Sequence, residues 1–297
     1  MTSALFGIGG STAVDAAPQT LRLAAQADRQ GLDLLTFSDH PYFPDRLDAY
    51  AALGAVLGRT ERISGLVSVT NLPTRPVPML ARTVTSLSAL SGGRIVLGLG
   101  AGGLWDEITK MGAPRLSPGA AVRALEEAIP LLRALSGGGD PVTFDGEFSH
   151  VSALAPAAVP APPIWTGSVG PKSLAVTGRL ADGWIPGHAA DWLSPRYRTS
   201  RPIIDEAAAA AGRDPADIAT IYNIPGRITE APVRATRDGD GRWTGGSVGQ
   251  WVEELTTAVL DHGASGFVLF PTQDTPPDVA LSRWAEEIVP AVREATT

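Results

Sequence analysis

The chain contains no cysteine among its 297 residues, and it has only two lysines, Lys110 and Lys172. The missing cysteine excludes disulfides, thiolate nucleophiles, zinc ribbons and iron-sulfur clusters. The four histidines lack the spacing of metal ligands, so we expect no metal site. A net charge of -7 argues against a nucleic-acid partner, because such proteins usually carry a basic face.

Long apolar runs are also missing. No segment approaches the roughly 18 apolar residues of a membrane-spanning helix, and the first residues carry no basic leader. We therefore expect no membrane partner and a cytoplasmic location. The length suits either one barrel of roughly 250 residues or two small domains.

Short apolar runs alternate with longer segments of helical period along the chain. This alternation is typical of repeated βα units around a parallel sheet. We predict eight strands, at 4–8, 32–37, 63–67, 94–99, 164–166, 183–185, 218–222 and 266–270. The sequence therefore predicts an α/β fold, a (β/α)8 TIM barrel, with residues 1–297 as a single domain.

Two segments interrupt the alternation, after the fourth and the seventh strand. Residues 137–163 predict a β-hairpin with Asp145-Gly146 at its turn, followed by a proline-rich stretch. Residues 225–246 predict a polar insertion with its tip at Gly239-Asp240-Gly241. Long loops at this end of a barrel often cover the active site.

In a barrel of this kind, functional side chains collect at the C-terminal ends of the strands. Asp39-His40 follows the second strand and is the best acid/base candidate. Histidine exchanges a proton near neutral pH, and a neighbouring carboxylate can orient or charge it. The alternative is that Asp39 caps the next segment and His40 is a structural polar residue.

Two glycine-rich loops can receive a ligand. The segment 98–103, GLGAGG, matches a dinucleotide fingerprint, but no acidic residue ends the next strand. Its glycines also fit a loop where backbone approaches a flat ring. In the segment 167–172, GSVGPK, backbone N–H groups at a helix start and Lys172 can bind a phosphate. A small-residue turn with a solvated lysine is the alternative there.

In their order and spacing, these motifs resemble the luciferase-like flavin and deazaflavin oxidoreductases. The segments that carry the resemblance are FSDHPYFP, VSVTNLPTRPVPMLARTVTSLSALSGGRIVLGLGAGG, PPIWTGSVGPKSLAVTGRLADGWIPG and GASGFVLFP. The resemblance implies a bacterial-luciferase-like barrel that binds coenzyme F420 or FMN across its mouth. The SDH and SVTN signatures favour the deazaflavin branch.

The implied function is therefore an F420-dependent oxidoreductase that transfers a hydride between the deazaflavin and a small organic substrate. One alternative is an FMN-dependent luciferase-like monooxygenase. A second alternative is a non-catalytic cofactor-binding barrel. Family members often form dimers, so a homodimer is a candidate assembly, although no strip of the sequence identifies an interface.

The resemblance also assigns roles to individual residues. Asp39 and His40 would hold and tune the reacting end of the ring, with His40 exchanging the proton. A non-proline cis peptide is implied at Ser68-Val69. Gly103 stands where sugar-phosphate dehydrogenases of the family carry a glutamate, which disfavours that substrate. The cofactor contacts implied are Asp39, Ser68, Val69, Thr70 and Asn71 around the ring, Ala101 and Gly102 through backbone, and Gly167, Ser168, Val169, Gly170 and Lys172 at the phosphate.

Overall fold

The computed structural model describes residues 4–188, 190–272 and 275–297. Strands and helices alternate along these residues. The strands are β1 Leu5–Gly9, β2 Leu34–Phe37, β3 Ser64–Asn71, β4 Ile95–Gly100, β5 Val142–Asp145, β6 His150–Leu154, β7 Ile164–Thr166, β8 Gly183–Trp184, β9 Ala219–Thr229, β10 Gly245–Ser247 and β11 Gly266–Pro271. The helices are α1 Ala17–Arg29, α2 Ala49–Leu57, α3 Val77–Ser91, α4 Trp105–Lys110, α5 Pro118–Ala134, α6 Pro171–Leu180, α7 Pro195–Ala210, α8 Val248–His262, α9 Pro277–Arg283 and α10 Val289–Ala295.

Eight parallel strands close into a barrel, which confirms the predicted fold class. The order around the ring is β1, β2, β3, β4, β7, β8, β9 and β11, and the pairing of β11 with β1 completes it. The short strand β10 pairs in parallel with the far end of β9. No helix formed by the described residues is both long and apolar enough to span a membrane.

The inner face of the barrel carries a small apolar core below the mouth. Its members point inward from seven of the strands or their ends: Leu34, Leu66, Val96, Trp165, Ile185, Ile221 and Val268. The outer faces pack against the helices, so a strand such as β2 is buried along its whole length. Burial on both faces explains the continuous apolar runs in the sequence.

The ends of α3 and α8 carry residue types that favour helix termini. Ser247 is the N-cap of helix α8, and its side chain forms a capping box with Gln250. The helix ends at Gly263, which adopts the left-handed conformation with φ 65°. Helix α3 likewise ends at Gly92, with φ 69°.

The predicted hairpin is confirmed as β5 and β6, which pair antiparallel. The N–H of Gly146 donates to the carbonyl of Ser149 at 3.0 Å and closes the turn. The carboxylate of Glu127, on α5, accepts from the N–H groups of Glu147 at 2.7 Å and Phe148 at 3.1 Å. The tip of the hairpin is therefore fixed against α5.

Two predicted loop boundaries are wrong. Residues 225–229 belong to β9 rather than to an insertion, because they pair with β10 on one side and β11 on the other. Residues 68–71, placed after the third strand, form the end of β3, whose pairing with β4 is irregular between Val67 and Thr70. The predicted insertion tip is correct, since the N–H of Gly241 donates to the carbonyl of Asp238 at 2.9 Å.

Candidate functional site at the barrel mouth

The mouth contains a flat surface made of one valine and two glycines. Val69 turns toward the barrel interior and packs against the inner core. A Cβ added to Gly100 would lie 2.7 Å from Cγ2 of Val69, and one added to Gly167 would lie 2.9 Å from the same atom. Val69 therefore rests on bare backbone of β4 and of the loop after β7, and the surface can accept the face of a planar ring.

Polar groups surround this surface. The peptide bond between Ser68 and Val69 is cis, as the resemblance implied. The Nδ2 of Asn223 donates to Oγ of Ser68 at 3.2 Å, which links β9 to β3 across the interior. Oδ1 of Asn223, Oδ1 of Asn71 and Oγ1 of Thr36 are buried with no hydrogen-bond partner among the described residues. Such orphaned atoms fit the polar edges of a flavin or deazaflavin ring.

Asp39 is held by an arginine that the sequence did not single out. The side chain of Asp39 is fully buried. Its Oδ2 accepts from Nε of Arg75 at 2.9 Å and from the N–H of Asn71 at 3.0 Å, and its Oδ1 accepts from the Arg75 guanidinium at 2.6 Å. This side-on pair, made by Nε and Nη2 of Arg75, uses both carboxylate oxygens. Asp39 therefore joins β2 to the loop after β3.

Thr70 faces away from the mouth. It is completely buried on the outer side of β3, and its hydroxyl lies 2.6 Å from the hydroxyl of Tyr50 on α2. Burial raises the pKa of Tyr50, so its hydroxyl keeps the proton. Of the predicted residues of β3, the structure brings Ser68, Val69 and Asn71 to the mouth and places Thr70 against α2.

His40 lies at the rim, partly buried beside aromatic rings. Its Nδ1 is 2.7 Å from the hydroxyl of Tyr42. Burial lowers the pKa of His40, an effect opposed by Asp39 and reinforced by Arg46. Burial also raises the pKa of Tyr42. Neutral imidazole is therefore the main form near pH 7, and it has a hydroxyl partner on one nitrogen.

The loop after β7 has the form expected of an anion site. Ser168 is buried, and its carbonyl accepts from Nε1 of Trp184 at 2.9 Å. Val169 is 59% exposed, and α6 begins directly after Gly170. Lys172 is exposed in the first turn of α6. The positive end of the helix dipole and a lysine therefore meet at the start of α6.

Ala101 and Gly102 directly follow β4, the strand that pairs with β7. Gly102 has φ +97°, and a Cβ there would lie 2.8 Å from Cγ of Pro73. Ala101 lines a cavity of about 450 Å³ together with Met111 and Phe148, next to the hairpin tip. Gly103 has no atom within 4 Å of an added Cβ, so its surroundings are open.

A second cavity, of about 820 Å³, opens beside His188. Its charged lining residues are Arg196, Arg198, Arg237, Arg242, Asp191 and Asp240. Arg237, near the insertion tip, pairs with the buried Asp191 at 2.6 Å and also with Glu254. That pair holds the insertion against the loop that precedes α7. The cavity therefore has an excess of positive charge in a protein of net charge -7.

His188 connects this cavity to the mouth. It forms a β-bridge with Asn223, and its ring lies 5.4 Å from that of Phe270. Burial lowers the pKa of His188. Among the described residues, no cluster of histidine and carboxylate side chains is placed to hold a metal ion.

The fold and the site together combine a parallel barrel, a valine packed on two glycines at its mouth, a helix start with a nearby lysine and a histidine at the rim. Residues 1–260 match the family model for luciferase-like monooxygenases, and the chain belongs to that family.

The chain is 30% identical over 229 residues to an F420-dependent glucose-6-phosphate dehydrogenase of Microbacterium testaceum, a match covering 74% of this chain and 67% of the relative. It is 31% identical over 198 residues to a 5,10-methylenetetrahydromethanopterin reductase of Methanolobus tindarius, covering 66% of this chain and 57% of that relative. The fold superposes on a solved F420-dependent secondary alcohol dehydrogenase, in complex with an F420-acetone adduct, with a TM-score of 0.82 at 20% identity, covering 98% and 99% of the two chains.

Proposed function

We propose that this protein is a coenzyme F420-dependent oxidoreductase that transfers a hydride between the deazaflavin and a small organic substrate. The observation that carries the proposal is the bare surface of Val69, Gly100 and Gly167, with His40 at its rim. Two relatives that are 30% and 31% identical to this chain over the aligned residues support the proposal. One is named as F420-dependent and the other as a methylenetetrahydromethanopterin reductase.

The ring would lie over Val69, with Ser68 and Asn71 at its polar edges and the backbone of Ala101 and Gly102 opposite. Its phosphate would lie at the loop 167–170, where Lys172 supplies a positive charge. When bound, the deazaflavin supplies the hydride chemistry. The barrel orients the two reactants and excludes water from them.

His40 would exchange the proton that accompanies hydride transfer. Tyr42 occupies Nδ1, which leaves Nε2 as the atom able to exchange a proton with the substrate. Because Tyr42 keeps its proton, it can donate to Nδ1 and thereby place the exchangeable proton of His40 on Nε2. That arrangement suits protonation of a substrate C=O, C=N or C=C bond as it receives the hydride.

Spectroscopic titration of the purified protein with F420 and with FMN tests the cofactor. We expect F420 to bind with a change in absorbance and fluorescence and FMN to bind far more weakly. Tight FMN binding without F420 binding would favour the FMN-dependent monooxygenase, since a deazaflavin lacks the ring nitrogen needed for oxygen chemistry. Binding of F420 without turnover of any substrate would favour the non-catalytic barrel.

Glucose 6-phosphate is a second candidate substrate class, because one relative is named for it. The arginine-lined cavity beside His188 is suited to a phosphate or carboxylate. Gly103, without a carboxylate, disfavours the sugar-phosphate reaction. The assay is reduction of F420 by glucose 6-phosphate. If it proceeds, Arg198→Met should raise the KM for glucose 6-phosphate but leave the KM for glucose unchanged.

We also propose a homodimer in the cytoplasm as the working form. Light scattering of the purified protein would give twice the mass of 30.8 kDa. A single-chain mass at micromolar concentration would refute the dimer.

A further inference from the structure

The guanidinium of Arg75 lies at the centre of a partly buried group that joins three parts of the barrel: the end of β2, helix α2 and the loop after β3. It pairs with Asp39 after β2 and, at 2.7 Å, with Asp48 at the start of α2. It also lies over the ring of Tyr50, 4.7 Å from the centroid. The N–H of Arg75 donates to the carbonyl of Leu72 at 3.0 Å, which fixes the loop after β3.

Both carboxylate oxygens of Asp39 accept hydrogen bonds from Arg75. Burial alone would disfavour the charge on Arg75, but Asp39 and Asp48 raise its pKa, so it stays charged at any pH where the protein folds. A buried carboxylate without such a partner would be strongly disfavoured. Asp39 therefore serves as the partner of Arg75, and the guanidinium offsets part of its charge.

His40 is the residue next to Asp39. The charged and titratable groups that act on its ring are Asp39 beside it, Arg46 in the loop before α2 and the hydroxyl of Tyr42. From the neighbouring β3, Asn71 reaches the same corner through its bond to Asp39. Of these groups, only Asp39 is a carboxylate, so its pairing with Arg75 affects the electrostatic surroundings of the imidazole.

We propose that Arg75 is a positioning residue for His40: it offsets part of the charge of Asp39 and fixes the loop that carries His40 beside β3. The role of His40 as the proton-exchanging group rests on the proposed function, whereas the control of its titration by Arg75 does not. A partner of this kind is specific to arginine, because a lysine cannot make the side-on pair with both carboxylate oxygens.

The direct test is NMR titration of the His40 ring in the cofactor-free protein, with the signal assigned from a His40→Gln variant. In Arg75→Met the unpaired charge of Asp39 should raise the titration midpoint of His40 by about one pH unit. Arg75→Lys should restore part of that shift. Asp48→Asn is the matched control, because it removes the other carboxylate, keeps a good N-cap for α2 and should leave the midpoint unchanged.

Asp39→Asn should shift the titration midpoint of His40 in the opposite direction. This variant tests the proposal if Arg75→Met does not fold. It should lower the midpoint of His40, because the negative charge is lost while Arg75 remains. An unchanged midpoint in Arg75→Met, an equal shift in Asp48→Asn, or a raised midpoint in Asp39→Asn would overturn the proposal. If His40 exchanges the proton, the pH profile of kcat should move with the NMR midpoint; a moved midpoint with an unmoved profile would reject the role of His40 and leave that of Arg75 intact.

Discussion

Replacing Gly167 by alanine should damage the ring-binding surface by a calculable amount. The added Cβ would lie 2.9 Å from Cγ2 and 3.2 Å from Cγ1 of Val69. Carbon atoms pack at about 3.5–4.0 Å, so Val69 must move by roughly 0.5 Å or more. Overpacking of this kind costs about 1–3 kcal/mol. At about 2–4 °C per kcal/mol for a chain of this size, we expect the Tm to fall by about 2–12 °C.

Thermal unfolding followed by circular dichroism measures the fall in Tm, and F420 fluorescence measures cofactor affinity, which should weaken in the same variant. Gly103→Ala is the matched control, since its Cβ would meet no atom within 4 Å. Adding Val69→Ala to Gly167→Ala should recover much of the lost stability, because the two side chains no longer collide. A Gly167→Ala protein with wild-type Tm and wild-type F420 affinity would refute the packing and the site built on it.

Three further predictions concern proton exchange, the anion site and acid stability. His40→Ala should lower turnover by about 10²- to 10⁴-fold with little change in F420 affinity, and equal turnover would reject its role. Lys172→Met should weaken F420 binding about threefold and reduce its salt dependence, whereas Lys110→Met, which loses only an ion pair with Glu107, should do neither. Burial raises the pKa of Asp28, but the N–H donors of Ile63, Glu61 and Arg62 hold it below its ordinary value of 3.8. The ionised Asp28 carboxylate therefore stabilises the fold above about pH 4, and this stabilisation is lost as the pH falls through the lower folded-state pKa. In urea unfolding, the free energy of unfolding of Asp28→Asn should change less with acid pH than that of the wild type.

The fold could be predicted from the sequence because its signals are local. Continuous apolar runs mark strands buried on both faces, and Gly92, Ser247 and Gly263 mark helix ends by rules that involve a few neighbouring residues. The limits of β9 could not be predicted in the same way. Residues 225–229 are strand only because β10 and β11 lie beside them, which depends on tertiary pairing.

The location of the candidate site at the barrel mouth could be predicted from the sequence, but the pairing and direction of its side chains could not. Motif order located His40, Val69 and the loop 167–170, because barrel topology brings strand ends together. The pairing of Arg75 with Asp39 spans 36 positions and arises only once β2 and β3 are adjacent. The one feature of the sequence that could have indicated this pairing is a charged residue, Arg75, soon after the third strand. The outward direction of Thr70 follows from the irregular pairing of β3, for which the residue types give no sign.

The central claim is hydride transfer from the deazaflavin without oxygen. The most direct measurement uses protein loaded with reduced F420 that carries deuterium at C5, mixed anaerobically with a panel of carbonyl, imine and enoyl compounds. Mass spectrometry of the products and the returning absorbance of oxidised F420 are then followed together. We predict one deuterium in a reduced product for each F420 oxidised, with no need for oxygen. Reoxidation only in the presence of oxygen, with no deuterium in any product, would contradict the account.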